Sequence, residues 1–250
     1  MKKRTKIIIS VILILLMIPG GFVGNMFGVF SKGNYGDYSL NGAEADADSS
    51  LKGKTVIFLG SSVTYGYGSF GVSFADYLEK TDGINAVKEA VSGTTLVDVK
   101  SNSYVSRLKN IDKSIKADAF VCQLSTNDAT KEMPLGEISE SFDMNDFDTL
   151  TVAGAIEYII SYARSAWDCP VVFYTQARYD SDYYAEMVDL LLKIQKKWDI
   201  TVLDLWNDEE INSITQEERK FYLVDRIHPT KAGYKEWWLP KFRECLNEIM

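Results

Sequence analysis

The fold is decided by residues 56–64, which are Val56-Ile57-Phe58-Leu59-Gly60-Ser61-Ser62-Val63-Thr64. A short, continuous apolar run that ends in glycine is typical of a buried strand in a parallel sheet. In open α/β folds, ligands bind just outside the carboxyl ends of such strands. The sequence therefore predicts that a serine lies at the ligand-binding edge of a sheet.

The chain contains a single histidine, His228, in the segment Asp225-Arg226-Ile227-His228-Pro229. A serine hydroxyl is a weak nucleophile at neutral pH and needs a general base. Imidazole can accept that proton and return it to the leaving alcohol. We therefore predict that the fold brings Ser62 and His228 together, and that Asp225 accepts the other ring N–H and fixes the tautomer.

The rest of the domain alternates strand and helix patterns. Strands are predicted at 55–60, 85–91, 118–124, 170–176 and 200–205, and helices at 71–80, 103–115, 149–167, 181–198 and 230–248. The helical pattern is clear where Val152, Ile156 and Ile159 recur at three- and four-residue spacing. Alternating units of this kind predict a flavodoxin-like three-layer α/β/α sandwich with a central parallel sheet of about five strands.

An apolar segment precedes this domain. Residues 2–6 are basic, residues 7–18 are apolar apart from Ser10, and the apolar character continues to Phe30. Residues 1–30 are predicted to form a hydrophobic helix that is either a cleaved signal peptide or a retained membrane anchor. The lack of an A-x-A cleavage site favours the anchor. Either alternative predicts a domain that is secreted or tethered to the outer face of the cytoplasmic membrane.

Residues 31–50 are small, polar and acidic, with the sequence SKGNYGDYSLNGAEADADSS. Such a composition cannot bury enough apolar surface to fold alone. We predict a flexible acidic linker over 31–50 and a catalytic domain over 51–250.

Charge and cysteine usage exclude several classes of protein. Removing the four basic residues at positions 2–6 from the total of 27 leaves 23 against 35 acidic residues, a balance of −12. This balance argues against nucleic acid as a partner, since phosphate contacts need clustered lysine and arginine. The chain has three widely spaced cysteines and one histidine, too few to predict a zinc site of cysteine and histidine ligands. No metal and no cofactor are therefore expected. Nothing in the cysteine spacing indicates a disulfide framework.

Four sequence blocks occur at predicted strand ends or in the last loop. They are Gly60-Ser61-Ser62-Val63-Thr64, Ser92-Gly93-Thr94-Thr95, Ser125-Thr126-Asn127-Asp128 and Asp225-Arg226-Ile227-His228-Pro229. In these blocks and their order, the chain resembles the SGNH (GDSL-type) hydrolase family. The resemblance implies that Ser62 is the nucleophile, and that the oxyanion hole is formed by the N–H groups of Ser62 and Gly93 and the side chain of Asn127. It also implies that Asp225 and His228 complete the triad.

Two positions depart from the family's pattern. Ser61 stands where the family has aspartate, and Ser125 stands where it usually has glycine. Two adjacent hydroxyls leave Ser61 as an alternative nucleophile, although the position of Thr64 in the block favours Ser62. Residues 66–71 match the pattern G-x-G-x-x-G, which is typical of dinucleotide-binding loops. We do not predict dinucleotide binding, because the pattern does not follow a strand directly.

The predicted function is hydrolysis of oxygen esters through an acyl-enzyme, with a short acyl group such as acetyl on a carbohydrate as the expected substrate. Tyr65, Tyr67 and Asp128 are the candidate substrate-binding residues, and the acidic segment 129–148 is expected near the mouth of the site. Three alternatives use the same residues. They are a lipase or lysophospholipase, an acyltransferase, and a carbohydrate-binding domain with a vestigial site.

Overall fold

The computed structural model describes residues 28–250, so most of the predicted N-terminal helix of residues 1–30 lies outside the described residues. The domain is built around five parallel strands, β1 (Thr55–Gly60), β2 (Asn85–Ala90), β3 (Ala119–Gln123), β4 (Val171–Tyr174) and β5 (Thr201–Leu203). Their spatial order is β2-β1-β3-β4-β5. This is the flavodoxin-like order, and its topological switch point lies between β1 and β3. The predicted fold class is confirmed.

Helices cover both faces of the sheet. They are α1 (Ser62–Tyr65), α2 (Phe74–Asp82), α3 (Tyr104–Leu108), α4 (Thr126–Thr130), α5 (Val152–Trp167), α6 (Asp182–Trp198), α7 (Glu209–Asn212), α8 (Gln216–Tyr222) and α9 (Leu239–Ile249). A π-helical turn, Gly233–Trp238, leads directly into α9. The predicted helix at 230–248 therefore exists but is not regular throughout.

Strand β1 explains why the domain has two apolar layers. Ile57 and Leu59 face the layer that α5 and α6 cover. Val56 and Phe58 face the other layer, where Phe74 of α2 packs among residues of α9. Successive side chains of a strand point to opposite faces, so a central strand buried on both sides must be apolar at every position.

Side-chain caps set the ends of the longer helices. Ser73 and Asp76 form a capping box at the start of α2. Thr151 accepts a hydrogen bond from the Gly154 N–H at the start of α5, and that helix ends at Asp168 in the left-handed conformation. The predicted helix at 103–115 is wrong in length, because α3 ends at Leu108 and the chain then turns.

Residues 31–50 differ from the predicted flexible linker, because they pack on the domain as three short 3₁₀ turns and connecting segments. Asn34 is buried, and its amide donates to the carbonyl oxygens of Gly28 and Gly68. Lys235 Nζ donates to the Asp37 carbonyl at 2.8 Å. Polar contacts to the backbone hold a segment that has too few apolar residues to form a core of its own.

Within residues 28–250, no helix has the length and apolar character needed to cross a bilayer. All three cysteines in the chain are buried and unbridged.

Candidate active site

The turn that carries Ser62 is fixed from below by a buried hydrogen-bond network. Gln123 Oε1, at the end of β3, accepts from the Ser61 N–H at 2.9 Å and from the Thr64 hydroxyl at 2.9 Å. The Thr64 hydroxyl also lies 2.6 Å from the hydroxyl of Tyr174. A Cβ at position 60 would lie 1.7 Å from the Thr64 hydroxyl oxygen, so only glycine fits there. Gly60 and Thr64 thus position the nucleophile without taking part in its chemistry.

Ser62, His228 and Asp225 form a continuous hydrogen-bonded chain. The Ser62 hydroxyl lies 2.8 Å from Nε2 of His228, and Nδ1 of His228 lies 2.7 Å from Asp225 Oδ2. Both distances are within the range for proton transfer by a general base. An Nδ1–H donated to the carboxylate leaves Nε2 unprotonated and able to accept the serine proton.

The loop that carries His228 is closed by its own backbone. The Val224 N–H donates to the His228 carbonyl at 2.9 Å, and Leu223 pairs with Pro229 in an isolated antiparallel β-bridge. Asp225 Oδ1 accepts from the N–H groups of Ile227 and His228, each at 2.8 Å. One carboxylate therefore orders the loop with one oxygen and orients the imidazole with the other.

The pKa of Asp225 lies below its ordinary value of 3.8. Burial alone would raise this pKa, but the hydrogen bond and charge of His228 and the two backbone N–H groups lower it by more. Asp225 is therefore ionised at neutral pH, as a partner for an imidazolium must be.

Gly93 and Asn127, the predicted oxyanion-hole residues, line the same cavity as Ser62. Gly93 has a φ of +79°, and a Cβ built there would meet nothing within 4 Å, so the loop presents its backbone to open space. The Asn127 amide donates to the Thr94 carbonyl at 3.0 Å and to the Ser61 hydroxyl at 3.2 Å. The first bond fixes the orientation of the amide, and the second directs the other hydrogen to the residue before the nucleophile.

The two departures from the family's pattern have structural explanations. Ser125 is the N-cap of α4, because its hydroxyl accepts from the Asn127 N–H at 3.2 Å. Ser61 is fully buried, and its hydroxyl accepts from the Asn127 amide rather than contacting His228. The geometry therefore places Ser62, and not Ser61, against the base.

These groups surround one cavity of about 390 Å³, lined by Ser62, Tyr67, Ser92, Gly93, Asn127, Asp225 and His228. The ring of Tyr67 lies 5.1 Å from the imidazole of His228, between centroids, at an angle of 52°. Tyr67 thus forms an aromatic wall over the base. Among residues 28–250, no cluster of histidine, cysteine and acidic side chains is suited to hold a metal ion.

Two of the three candidate substrate-binding residues do not line this cavity. Tyr65 is exposed, and its ring lies 5.9 Å from Lys88 Nζ, beside strand β2. Asp128 is fully buried, and its carboxylate accepts from the N–H groups of Leu96 and Val97 at 2.8 and 3.1 Å. Asp128 therefore holds the loop that carries Gly93 and has no access to substrate. Burial raises the pKa of its carboxyl group by more than these hydrogen bonds lower it.

The acidic segment 129–148 reaches the site with a lysine and not with its acids, because Lys131 Nζ donates to the Gly93 carbonyl at 3.1 Å. None of the residues lining the cavity comes from it. Lys197 of α6 instead binds the carbonyl oxygens of Ser139 and Ser141 and the buried carboxylate of Glu157. The part of the segment around Ser139 and Ser141 is therefore tied to α5 and α6, and none of the segment's acids lines the cavity.

Replacing Asp128 by Ala is expected to lower the free energy of unfolding by about 2–4 kcal/mol, because it leaves two buried N–H groups without an acceptor. Asp128→Asn is the matched control, since its amide oxygen can still accept one of the two hydrogens. Urea unfolding of both variants measures the effect. A loss for Asp128→Ala no larger than that for Asp128→Asn would contradict the structural role.

Arg107 is a positioning residue that the sequence analysis missed. Its five N–H groups meet five acceptors: the carbonyl oxygens of Gly60, Glu89 and Asn102, the hydroxyl of Thr94 and the carboxylate of Glu89. This buried guanidinium joins the end of β1, just before the nucleophile, to the loop after β2 that carries Gly93. In the sequence, Arg107 resembles any surface arginine of a helix, and only the fold shows what it binds.

The fold and this site define a serine hydrolase of the three-layer α/β/α type. The family model of the GDSL-like lipase/acylhydrolase family matches residues 58–236, and the chain belongs to that family. The matched segment contains all four predicted blocks, from the nucleophile turn to the loop of His228.

Solved structures share the fold at low sequence identity. A protein from Lactobacillus plantarum is 20% identical, with a TM-score of 0.66, and the match covers 80% of this chain and 99% of that one. A protein from Desulfitobacterium hafniense assigned to the G-D-S-L lipolytic family is 20% identical, with a TM-score of 0.59 and coverages of 77% and 99%. The acetyl xylan esterase AlAXEase is 19% identical, with a TM-score of 0.52 and coverages of 76% and 98%. No curated protein matches the chain significantly by sequence.

Proposed function

We propose that this protein removes short acyl groups, such as acetyl, from the hydroxyls of a carbohydrate outside the cytoplasmic membrane. The observation that carries the proposal is the Ser62–His228–Asp225 chain, with distances of 2.8 and 2.7 Å, at the edge of an open cavity. Two further features support the choice of substrate, namely the small cavity, whose lining includes no aliphatic side chain, and the leader of residues 1–30.

The reaction follows from the positions of the groups. His228 Nε2 takes the hydroxyl proton as Ser62 attacks the ester carbonyl, and the Ser62–acyl bond forms. The N–H groups of Ser62 and Gly93 bind the oxyanion of the tetrahedral intermediate, and the Asn127 amide joins them by exchanging its hydrogen bond to the Ser61 hydroxyl for one to the oxyanion. The imidazolium then donates its proton to the sugar oxygen as the bond between that oxygen and the acyl carbon breaks, and the sugar leaves as an alcohol. A water molecule activated by the same imidazole hydrolyses the acyl-enzyme and restores Ser62.

The lining of the cavity favours a short acyl group. Apart from the imidazole of His228, the seven lining residues contribute one aromatic ring, that of Tyr67, and no aliphatic side chain. A long acyl chain needs a groove of apolar side chains to replace its hydration, and these seven residues do not form one. A tyrosine ring beside the base suits the apolar face of a sugar ring. A solved structure with this fold is named as an acetyl xylan esterase, which is consistent with an acetylated carbohydrate substrate.

We expect kcat/KM for p-nitrophenyl acetate to exceed that for p-nitrophenyl octanoate by at least about tenfold, since six extra methylenes find no apolar pocket. The same protein should release acetate from an acetylated oligosaccharide, and Ser62→Ala supplies the blank for both assays. Faster turnover of the octanoate ester would show a lipase instead. Transfer of acetyl to an added sugar in preference to water would show an acyltransferase. Sugar binding without any ester cleavage would overturn the enzymatic proposal.

A further inference from the structure

A patch of exposed apolar and aromatic side chains lies beside the active site, on residues that the chemistry does not use. It comprises Val29, Phe30, Tyr35 and Phe70, whose exposed fractions range from 41% to 65%. The Tyr35 hydroxyl donates to the Val29 carbonyl at 2.6 Å, and the rings of Tyr35 and Phe70 lie 6.2 Å apart. We call these four residues the N-terminal patch. Contiguous exposed apolar surface of this kind marks an interaction site.

Lysines surround the N-terminal patch although the domain as a whole is acidic. Lys231 Nζ lies 5.2 Å from the centre of the Phe70 ring. Lys32 and Lys220 line a cavity of about 510 Å³ together with Phe30, and Glu217 is the one acidic residue in that lining. Residues 28–250 carry 23 basic and 35 acidic residues, so this local excess of positive charge runs against the balance of the domain.

The chain that precedes the structure enters at this same place. Gly28 packs so closely that a Cβ there would lie 2.3 Å from the Gly68 carbonyl oxygen and 3.0 Å from Val224. Asn34 holds the entry in place, because its amide donates to the Gly28 and Gly68 carbonyls at 2.9 and 2.8 Å. The 27 residues before Gly28 include the apolar run 7–18. An apolar leader therefore joins the domain at the edge of the patch.

The patch and the active site are immediate neighbours. Tyr67 lines the catalytic cavity, and Phe70, three residues further on, belongs to the patch. Val224 lines the cavity beside the patch, and Asp225 lines the catalytic cavity. A surface that covers the patch therefore lies next to the mouth of the catalytic cavity.

We propose that the N-terminal patch docks on the anionic lipid bilayer into which the leader inserts, so that the catalytic cavity is held at the membrane surface. Aromatic rings and lysines are the side chains that favour the interface between lipid and water. Lysines near an anionic surface are attracted to it, and the attraction weakens with salt. The proposal depends on a retained leader, as the tethered form of the proposed function does, and it does not depend on ester hydrolysis.

The test is a depth measurement on the full chain reconstituted into vesicles of phosphatidylcholine and phosphatidylglycerol. Phe70→Cys is labelled with a polarity-sensitive thiol dye, and the three buried native cysteines leave the new thiol as the reactive one. Leu150→Cys is the matched control, because Leu150 is also an exposed apolar residue, with 55% of its surface accessible against 45% for Phe70, and it lies outside the patch. Doxyl groups on the lipid acyl chains are expected to quench the dye at position 70 and to leave the dye at position 150 unquenched.

Charge supplies the second arm of the test. The double variant Lys32→Glu/Lys220→Glu is expected to reduce quenching of the dye at position 70. High salt, or vesicles made without phosphatidylglycerol, should reduce the quenching in the same way. Turnover of the soluble ester p-nitrophenyl acetate should not change in this variant. Equal quenching at positions 70 and 150, or quenching indifferent to both lysines and salt, would overturn the proposal. The proposal would also be overturned if the dye at position 70 were shielded from water by dimerisation of the protein and not by lipid. A full chain that does not float with vesicles would overturn it as well. Loss of ester cleavage would overturn the proposed function and not the docking.

Discussion

Ser62→Ala is expected to lower kcat for p-nitrophenyl acetate by at least about 10⁴-fold, since removal of a serine nucleophile costs up to about 10⁶-fold in a well-studied serine protease. The physical reason is that the Ser62 hydroxyl is the one that lies 2.8 Å from His228 Nε2. Without it, the imidazole has no adjacent hydroxyl to activate, and only binding and oxyanion stabilisation remain. Steady-state kinetics measure the loss, and an unchanged Tm shows that the fold is retained.

Ser61→Ala is the matched control, because it removes the adjacent hydroxyl. The Ser61 hydroxyl accepts from the Asn127 amide and donates to Gln123 Oε1, so its loss acts on catalysis through the orientation of these two side chains. Removing an oxyanion donor outright costs about 10²–10³-fold, and a donor that has lost one orienting contact should cost less. A fluorophosphonate should label Ser62 and leave Ser61 unmodified. An inactive Ser61→Ala protein beside an active Ser62→Ala protein would show that the assigned nucleophile is wrong by one residue.

The sequence was sufficient to predict the sheet because each buried strand has a short apolar run with a polar end. The strand predicted at 55–60 matches β1 in full, and the one at 118–124 exceeds β3 by one residue at each end. Parallel strands place their carboxyl ends at one edge, so residues after β1 and β3 had to meet at the switch point. Ser62 and Asn127 are close for this reason.

The direction of individual side chains could not be predicted in the same way. Asp128 follows Asn127 directly, yet it points into the domain and binds the backbone of residues 96 and 97. Asn127 lies in the cavity wall. Adjacent positions in a four- or five-residue helix face different surroundings, and no pattern in so short an element shows which side is buried. The same reasoning applies to Tyr65, which ends α1 beside Lys88 and not in the cavity.

Long-range polar contacts were the second kind of information that the sequence lacked. The segment 31–50 has the composition of a linker, but Asn34 joins it to the carbonyl of Gly68 and to the N–H of Lys231, 197 residues away. Arg107 likewise binds Gly60, 47 residues away. Composition measures how much apolar surface a segment can bury, and it does not record which backbone groups elsewhere need a hydrogen-bond partner.

Asp225→Asn is expected to lower kcat by about 10³–10⁴-fold with little change in KM, the order found when the triad carboxylate of a serine protease is converted to an amide. Asp225 Oδ2 accepts the hydrogen of His228 Nδ1 at 2.7 Å. An amide nitrogen in that place donates instead, which favours the tautomer with the proton on Nε2, where it blocks transfer from Ser62. The amide oxygen can still accept from the N–H groups that Oδ1 now binds, so the loop should remain folded.

The pH dependence of the native enzyme distinguishes the orientation of His228 by Asp225 from the stabilisation of the loop by Asp225. Because the pKa of Asp225 lies below 3.8, its carboxylate stays ionised as the pH falls to about 4. The stabilisation of the loop by ionised Asp225 is therefore complete above that pH and is lost only as the pH falls through the lowered pKa. Asp225 should contribute no acid limb to kcat/KM above about pH 4, and Asp225→Asn should be impaired across the whole neutral range. Asp189→Asn, on the exposed face of α6, should behave as the native enzyme. An Asp225→Asn protein that keeps more than about a tenth of native kcat at neutral pH would show that His228 does not need this carboxylate.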